Sequence, residues 1–175
     1  MKRHLIVYLT VLGLFLLTGC IESNTLTISL NPGLDTVDIN GEFEDAGATA
    51  RIGRLSVQVV IIEDTVDLTT LGTYRITYQA SYQDQVVTIT RIITVIDETP
   101  PVLTLNPGID TIETGSTWED AGVTATDNSN GTIIVVVTGE VDTTTPGEYA
   151  IVYTATDESG NSATITRYVH VIILG

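Results

Sequence analysis

The 175-residue sequence has few of the side chains that most enzymes use for catalysis. Lysine occurs only as Lys2, cysteine only as Cys20, and histidine only as His4 and His170. Beyond the first twenty residues, no Ser-His-Asp arrangement, zinc constellation or glycine-rich phosphate loop can be assembled from what remains. The sequence therefore predicts a protein that is not an enzyme.

Positive charge is scarce as well. Beyond Cys20 there are five arginines and no lysine against 22 acidic residues, which leaves a net charge of −17. Such a chain repels nucleic acid and anionic lipid surfaces, so cations or basic partners fit it better. The single cysteine allows no intramolecular disulfide, so the folded part must be held by its hydrophobic core alone.

The first twenty residues have the pattern of an export signal. Lys2, Arg3 and His4 precede an apolar run over residues 5–17, and "LTGC" ends at Cys20. The run is shorter than the roughly 20 residues that a membrane-spanning helix needs. It is therefore predicted to direct export.

The "LTGC" segment resembles the lipobox of bacterial lipoproteins. That resemblance implies that residues 1–19 are a signal peptide and that Cys20 receives a diacylglycerol, with residues 20–25 forming a lipid-anchored tether. Two acyl chains give stable attachment to a membrane, on its exported face. The alternative is an ordinary secretory signal with an incidental cysteine.

The rest of the chain contains one unit twice. "NPGLDT", "FEDAGATA" and "VDLTTLGTYRITYQA" in the first half are followed, 75 positions later, by "NPGIDT", "WEDAGVTA" and "VDTTTPGEYAIVYTA". We therefore predict two domains, over residues 26–97 and 98–175. "DETPP", at 97–101, links them, and its prolines stiffen the crossing.

Both units have the side-chain alternation of β-strands. Residues of one parity form the expected core face: Tyr74, Ile76, Tyr78 and Ala80, repeated as Tyr149, Ile151, Tyr153 and Ala155. Clusters such as "NPG", "TTPG" and "DESGN" separate short strands, a rhythm typical of an antiparallel sandwich.

Two motifs give this pattern a family resemblance. Gly72-x-Tyr74 and Gly147-x-Tyr149 resemble the tyrosine corner of immunoglobulin-like sandwiches. The second unit, with "PPVLTL", "WEDAGVTATDNSNGTI", "VDTTTPGEYAIVYTATDESGN" and "ITRYVHV", resembles the bacterial immunoglobulin-like domain first described in a pesticidal crystal protein. The resemblance implies an all-β chain: two tandem immunoglobulin-like antiparallel β-sandwiches after a lipoprotein signal peptide.

Several repeated side chains are expected to be structural. Phe43 and Trp118 occupy equivalent places and are predicted to close one end of each core, although stacking of Trp118 on a sugar or a partner is the alternative. Arg91 and Arg167 share the parity of core valines, so each needs a carboxylate partner. Asp45 and Asp120 are the candidate partners, and both are also expected to accept backbone hydrogen bonds in their turns.

The two copies differ in loops that bear on metal binding. The second copy has Asp127 and Asp157 where the first has Ile52 and Tyr82. In an immunoglobulin-like sandwich these loops lie at one end, which here faces the linker.

We therefore predict a calcium site formed by Asp97, Glu98, Asp127 and Asp157, because calcium takes carboxylate and carbonyl oxygens. Glu42, Glu44 and Asp45 of the first domain are expected to add charge to the same junction. The alternative is that Asp127 and Asp157 only organise turns.

The function predicted from these features is protein interaction or adhesion at the bacterial cell envelope. A passive structural spacer is the alternative, and an enzyme is the remote one. Exposed aromatic residues for a sugar platform are limited to Tyr82 and Tyr168, with Trp118 as a third candidate. A protein partner is therefore favoured over a glycan. His170 is expected to face solvent beside Tyr168.

Overall fold

The computed structural model describes residues 24–173, so the predicted signal peptide and Cys20 lie outside the described part. This part is all-β, as predicted. Within it, no helix is long and apolar enough to cross a membrane.

The first copy forms two facing sheets from seven strands. The strands are β1 (Leu26–Leu30), β2 (Thr36–Asp38), β3 (Ala48–Ile52), β4 (Leu55–Val57), β5 (Val59–Asp64), β6 (Gly72–Tyr82) and β7 (Gln85–Ile96). One sheet has the order β1-β3-β4 and the other β2-β7-β6-β5. Neighbours pair antiparallel except β2, which runs parallel to β7.

The second copy repeats this arrangement with one strand fewer. Its strands are β8 (Val102–Leu105), β9 (Thr111–Glu113), β10 (Val123–Thr126), β11 (Ile134–Thr138), β12 (Gly147–Thr156) and β13 (Ser162–Ile172). Strands β10 and β8 form one sheet, and β11-β12-β13-β9 form the other. Strand β9 is parallel to β13 and the other pairs are antiparallel.

The predicted core face is confirmed in both copies. Ile76 and Tyr78 are buried on β6, and Ile151 and Tyr153 are buried on β12, while residues of the opposite parity are partly or fully exposed. Alternation along a pleated strand places these residues on one face, so the core could be read from the sequence.

The tyrosine corner is present twice. The Tyr74 hydroxyl donates to the backbone oxygen of Thr70 at 2.7 Å, and the Tyr149 hydroxyl donates to that of Thr145 at 2.8 Å. In both cases the ring folds back onto the loop before its strand, which is the geometry expected of an immunoglobulin-like sandwich.

Both arginines are buried, as their parity predicts, but their strongest partners differ from those expected. Arg91 is only 2% exposed, and its Nη1 donates to Asp35 at 2.5 Å. The expected partner, Asp45, forms a longer ion pair, 3.5 Å from its Nε, and also accepts a hydrogen bond from the Tyr78 hydroxyl.

The second copy repeats this arrangement, with one close carboxylate partner and the expected one at longer distance. Arg167 Nη1 donates to Asp110 at 2.6 Å, whereas Asp120 lies 3.7 Å from its Nε. Asp35 and Asp110 belong to the repeated "NPG[LI]DT" motif, which is the signal that could have identified them. The expected turn contacts are present, because the Asp45 and Asp120 carboxylates accept from the backbone N–H groups of Gly47 and Gly122.

Phe43 and His170 lie where the pattern predicts. Phe43 packs against the core cluster of Ile76, Tyr78 and Ile93. Trp118 is half-buried, and its Nε1 donates to the backbone oxygen of Ile109 at 2.9 Å. His170 faces solvent, 3.6 Å from Glu148.

Candidate metal centre

Three of the four predicted ligands meet at the junction between the domains. Asp97 directly follows β7, Asp127 directly follows β10, and Asp157 directly follows β12. One carboxylate oxygen from each lies within 4.8 Å of the others. The three strands end close together, so a single small cation could contact all three side chains.

Two of these carboxylates are deeply buried and well supported. Asp157 is 6% exposed and Asp97 is 8% exposed. Asn161 donates from its backbone N–H and its side-chain Nδ2 to Asp157, at 2.8 and 2.9 Å. Asp97 accepts from the Thr99 backbone and the Ser159 hydroxyl, both at 3.2 Å. These contacts hold the two side chains in one orientation.

The pKa of Asp157 is lowered from its ordinary value. Burial acts to raise it, but hydrogen bonds from the Asn161 side chain and backbone, and from the backbones of Gly160 and Ser159, favour the ionised form. Asp157 is therefore a carboxylate at neutral pH, the form that a metal ion needs.

The third carboxylate has an unused oxygen. Asp127 Oδ2 accepts from the backbone and hydroxyl of Ser129 at 3.0 and 2.5 Å, whereas its Oδ1 is buried without a hydrogen-bond partner. The side-chain oxygen of Asn128 is also buried and without a partner. An unpaired buried oxygen is costly. The donor set of the site, oxygen atoms only, fits a hard cation such as calcium.

The loop that carries Asp127 also binds the first domain. Asn128 Nδ2 donates to Asp38 at 3.2 Å, and the Asn40 side chain donates to the Asn128 backbone oxygen at 2.7 Å. Asp38 further accepts from the Glu98 backbone at 2.9 Å and from the Thr99 hydroxyl at 2.5 Å. The site is thus continuous with the contact between the domains.

These contacts lower the pKa of Asp38. The Thr99 hydroxyl contributes most, followed by the Glu98 backbone N–H. Asp38 stays ionised at neutral pH and anchors both the linker and the Asp127 loop. Neither Asp38 nor Asn128 was among the predicted site residues. The sequence contained a signal for Asn128, because it stands beside Asp127 in "DNSNG", a segment that the first copy does not repeat.

The remaining carboxylates expected at the junction are not members of the three-carboxylate cluster. Glu98 is exposed, and its side chain is not part of the three-carboxylate cluster. The expectation for Asp45 was wrong, because it contacts Tyr78 and Arg91 inside the first domain. Glu42 and Glu44 line an open cavity beside Phe43.

The path of β2 explains why Asp38, and not Asp45, lies at the junction between the domains. Asp38 pairs with Ile96 at the end of β7, so it is the residue that reaches the junction. The chain turns immediately afterwards, where the Gly41 N–H donates to the Asp38 backbone oxygen.

The equivalent end of the first domain is apolar. Ile52 and Leu26 are 7% and 2% exposed there, and they cluster with Ala80, with Tyr82 packed alongside. The chain passes from Ile52 to Leu55 in a hairpin between β3 and β4, in place of the Asp127 loop. One copy of the repeat thus closes this end with hydrophobic side chains and the other with carboxylates.

The bacterial surface protein Ig-like domain family matches the sequence twice, over residues 34–95 and 108–171. The chain belongs to that family. The predicted immunoglobulin-like class is therefore confirmed, and the protein is a bacterial surface Ig-like protein with two tandem domains. No curated protein matches the sequence.

Several solved structures are similar to this surface Ig-like protein at low identity. The lipoprotein BT2262 from Bacteroides thetaiotaomicron is 16% identical, with a TM-score of 0.34, over 81% of this chain and 98% of that one. Human protocadherin-24 EC1-2 is 13% identical, with a TM-score of 0.41, over 85% and 81%. The protocadherin gammaB4 extracellular domain is 16% identical, with a TM-score of 0.41; 83% of this chain matches 26% of that one.

Proposed function

We propose that this surface Ig-like protein is exported, is anchored to the membrane by lipid on Cys20, and presents its second domain to a protein partner in an orientation that calcium holds. The observation that carries the calcium part is the meeting of Asp97, Asp127 and Asp157 at the junction between the domains. The envelope location is supported by the family, and the lipid anchor is supported by the "LTGC" segment.

The spacing of the three carboxylates supports calcium. Calcium binds oxygen ligands at about 2.3–2.6 Å, so two ligands of one ion lie at most about 5 Å apart. The observed oxygens lie within 4.8 Å of one another. Backbone carbonyls, water and the unpaired Asn128 oxygen are the kinds of group that complete its coordination.

Electrostatics supports the same ion. Carboxylates held this close repel one another, and the repulsion opposes ionisation or spreads the loops unless a cation neutralises it. The cation would bind the linker through Asp97 and two loops of the second domain through Asp127 and Asp157. Since Asn128 is hydrogen-bonded to Asp38 and Asn40, the first domain is included in the same assembly.

The test is thermal unfolding of the full chain in detergent, in millimolar calcium and then in chelator. A ligand that binds only the folded state raises its stability by mass action. Calcium is expected to raise the Tm, and Asp127→Asn or Asp157→Asn is expected to abolish the gain. The matched control is Asp84→Asn, a change in an exposed hairpin turn of the first domain, which should leave the gain intact.

Equal Tm values in calcium and chelator would show that the aspartates only organise turns. In that case only Pro100, Pro101 and the Asp38 contacts would hold the linker.

The partner is proposed to be a protein, because exposed aromatic side chains for a sugar platform are few. The alternative function, a passive envelope spacer, requires no partner at all and predicts that binding assays stay negative.

A further inference from the structure

Strand β11 has the features of a docking edge. It lies at the end of the sheet β11-β12-β13-β9, and within residues 24–173 it pairs only with β12. An edge strand presents a row of unpaired backbone N–H and C=O groups. Its outer edge is therefore open to another strand.

The side chains of β11 are apolar and exposed on both faces. Ile134 and Val136 are 64% and 54% exposed on the side of Thr154 and Thr156, away from the core. Val135 and Val137 face the core side, opposite Ala155 and Tyr153, yet remain 38% and 50% exposed. The facing sheet has only β8 and β10 and does not extend over them. A contiguous exposed apolar strand of this kind marks an interaction surface.

The equivalent strand of the first domain, β5, also exposes apolar side chains, those of Val60, Ile61 and Ile62, but it differs from β11 in charge and pairing. Strand β5 carries Glu63 and Asp64, and its pairing with β6 is interrupted by a bulge between Ile61 and Glu63. Charges and bulges are the common devices that prevent strand addition. Strand β11 pairs with β12 without interruption, and no charged residue lies between Asp127 and Glu140. The difference between the copies singles out the second domain.

The charge of the second domain indicates what kind of strand it accepts. Residues 98–175 contain eleven acidic residues and one arginine, Arg167, which is buried. Glu140 and Asp142 follow β11 in the chain. Glu158, from the loop after β12, lies beside the start of β11, where it accepts from the Thr132 N–H at 3.0 Å. A second copy of this domain would meet like charge, whereas a basic segment is attracted.

We propose that β11 binds an extended segment of a partner protein that is apolar where it pairs and basic at both flanks. Backbone hydrogen bonds would add this segment to the sheet as a further strand. Its apolar side chains would cover Ile134 and Val136 on one face and Val135 and Val137 on the other. The inference rests on the protein-interaction role proposed above and specifies the surface and the chemistry of the partner.

The test uses a fluorescent peptide of alternating valine and leucine, which is apolar on both faces of a strand, with two lysines at each end. It is titrated with the full chain in detergent. The control peptide has glutamate in place of lysine. The test variant is Val136→Lys. Its matched control is Val60→Lys. Val60 on β5 pairs with Gln79 on β6, as Val136 on β11 pairs with Thr154 on β12.

Binding of the lysine peptide is expected to weaken by about tenfold or more in Val136→Lys and to stay unchanged in Val60→Lys. The glutamate peptide is expected to bind about tenfold more weakly than the lysine peptide. Circular dichroism melting checks that Val136→Lys is folded, and Val136→Thr replaces it if it is not.

Three results would overturn the proposal: no binding of the lysine peptide, equal binding of both peptides, or equal loss in both variants. Sedimentation of the full chain identifies the competing occupant, because a dimer that Val136→Lys dissolves would assign β11 to a second copy. A calcium-dependent Tm gain that persists in Val136→Lys separates failure here from failure of the metal site.

Discussion

Arg167 Nη1 donates to Asp110 at 2.6 Å in the second domain, and Arg91 Nη1 donates to Asp35 at 2.5 Å in the first. The guanidinium Nη2 groups also donate to two backbone oxygens, those of Asn106 and Gly122 around Arg167 and those of Asn31 and Gly47 around Arg91. Each arginine thus joins the "NPG" segment to the "EDAG" turn. This shared role explains why both segments are repeated.

Replacing Arg167 by alanine is expected to destabilise the second domain by about 3 kcal/mol or more. Asp110 and the Asn106 carbonyl oxygen lose this donor, and the Gly122 carbonyl oxygen keeps only the Asn106 N–H. Urea unfolding measures the change. The control is Arg51→Ala, an exposed arginine, which should stay within about 0.5 kcal/mol of the parent. A loss in Arg167→Ala no larger than in Arg51→Ala would contradict the structural role.

Tyr78 predicts how stability responds to alkali. Burial, followed by the hydrogen bond to Asp45, raises the pKa of its hydroxyl to about 12, although Arg91 opposes the shift. An unfolded tyrosine has a pKa of about 10. The neutral phenol is therefore favoured in the fold. Its contribution should be complete below pH 10 and disappear as the pH rises towards 12.

The measurement is unfolding of the parent and Tyr78→Phe at pH 8 and pH 11. Phenylalanine is expected to cost about 1 kcal/mol at pH 8, because Asp45 loses a donor. The difference in unfolding free energy between parent and variant should narrow at pH 11, since only the parent has the Tyr78 phenol to titrate. A difference that does not change with pH would rule out a raised pKa.

The two neighbouring acids of the linker should behave differently toward metal. Asp97→Asn is expected to abolish the calcium-dependent rise in Tm, because Asp97 is a member of the buried cluster. Glu98→Gln should preserve the rise, because Glu98 is exposed and only its backbone N–H makes a contact, to Asp38. Loss of the rise in both variants would return Glu98 to the ligand set.

The proposed lipid anchor on Cys20 can be tested in cells. Cells that express the full chain should incorporate labelled fatty acid into it and retain it in the membrane fraction. Cys20→Ala should lose the label and the attachment, because the thiol is the proposed acceptor of the diacylglycerol. Unlabelled parent protein, released in soluble form, would support the ordinary secretory signal instead.

Much of the fold could be predicted because it depends on local pattern. The burial of Arg91 and Arg167 followed from their parity on a strand, and the tyrosine corners followed from Gly72-x-Tyr74 and its repeat. The choice of carboxylate partner did not follow from parity. Asp35 and Asp45 both stand in repeated turns and both lie near the guanidinium. Only the tertiary structure decides that Asp35 accepts the 2.5 Å hydrogen bond and that Asp45 forms the longer ion pair, at 3.5 Å.

The sequence by itself determined that the chain has two copies of one immunoglobulin-like unit, which residues face each core, and that Asp127 and Asp157 distinguish the second copy. These features depend on repetition and on the two-residue period of a strand. Tertiary structure alone decided that Asp38, and not Asp45, joins the Asp127 loop to the first domain. The parallel pairing of β2 with β7, which is remote in sequence, sets that contact. Tertiary structure also decided the exposure of β11, because the sheet that faces β11 has only two strands.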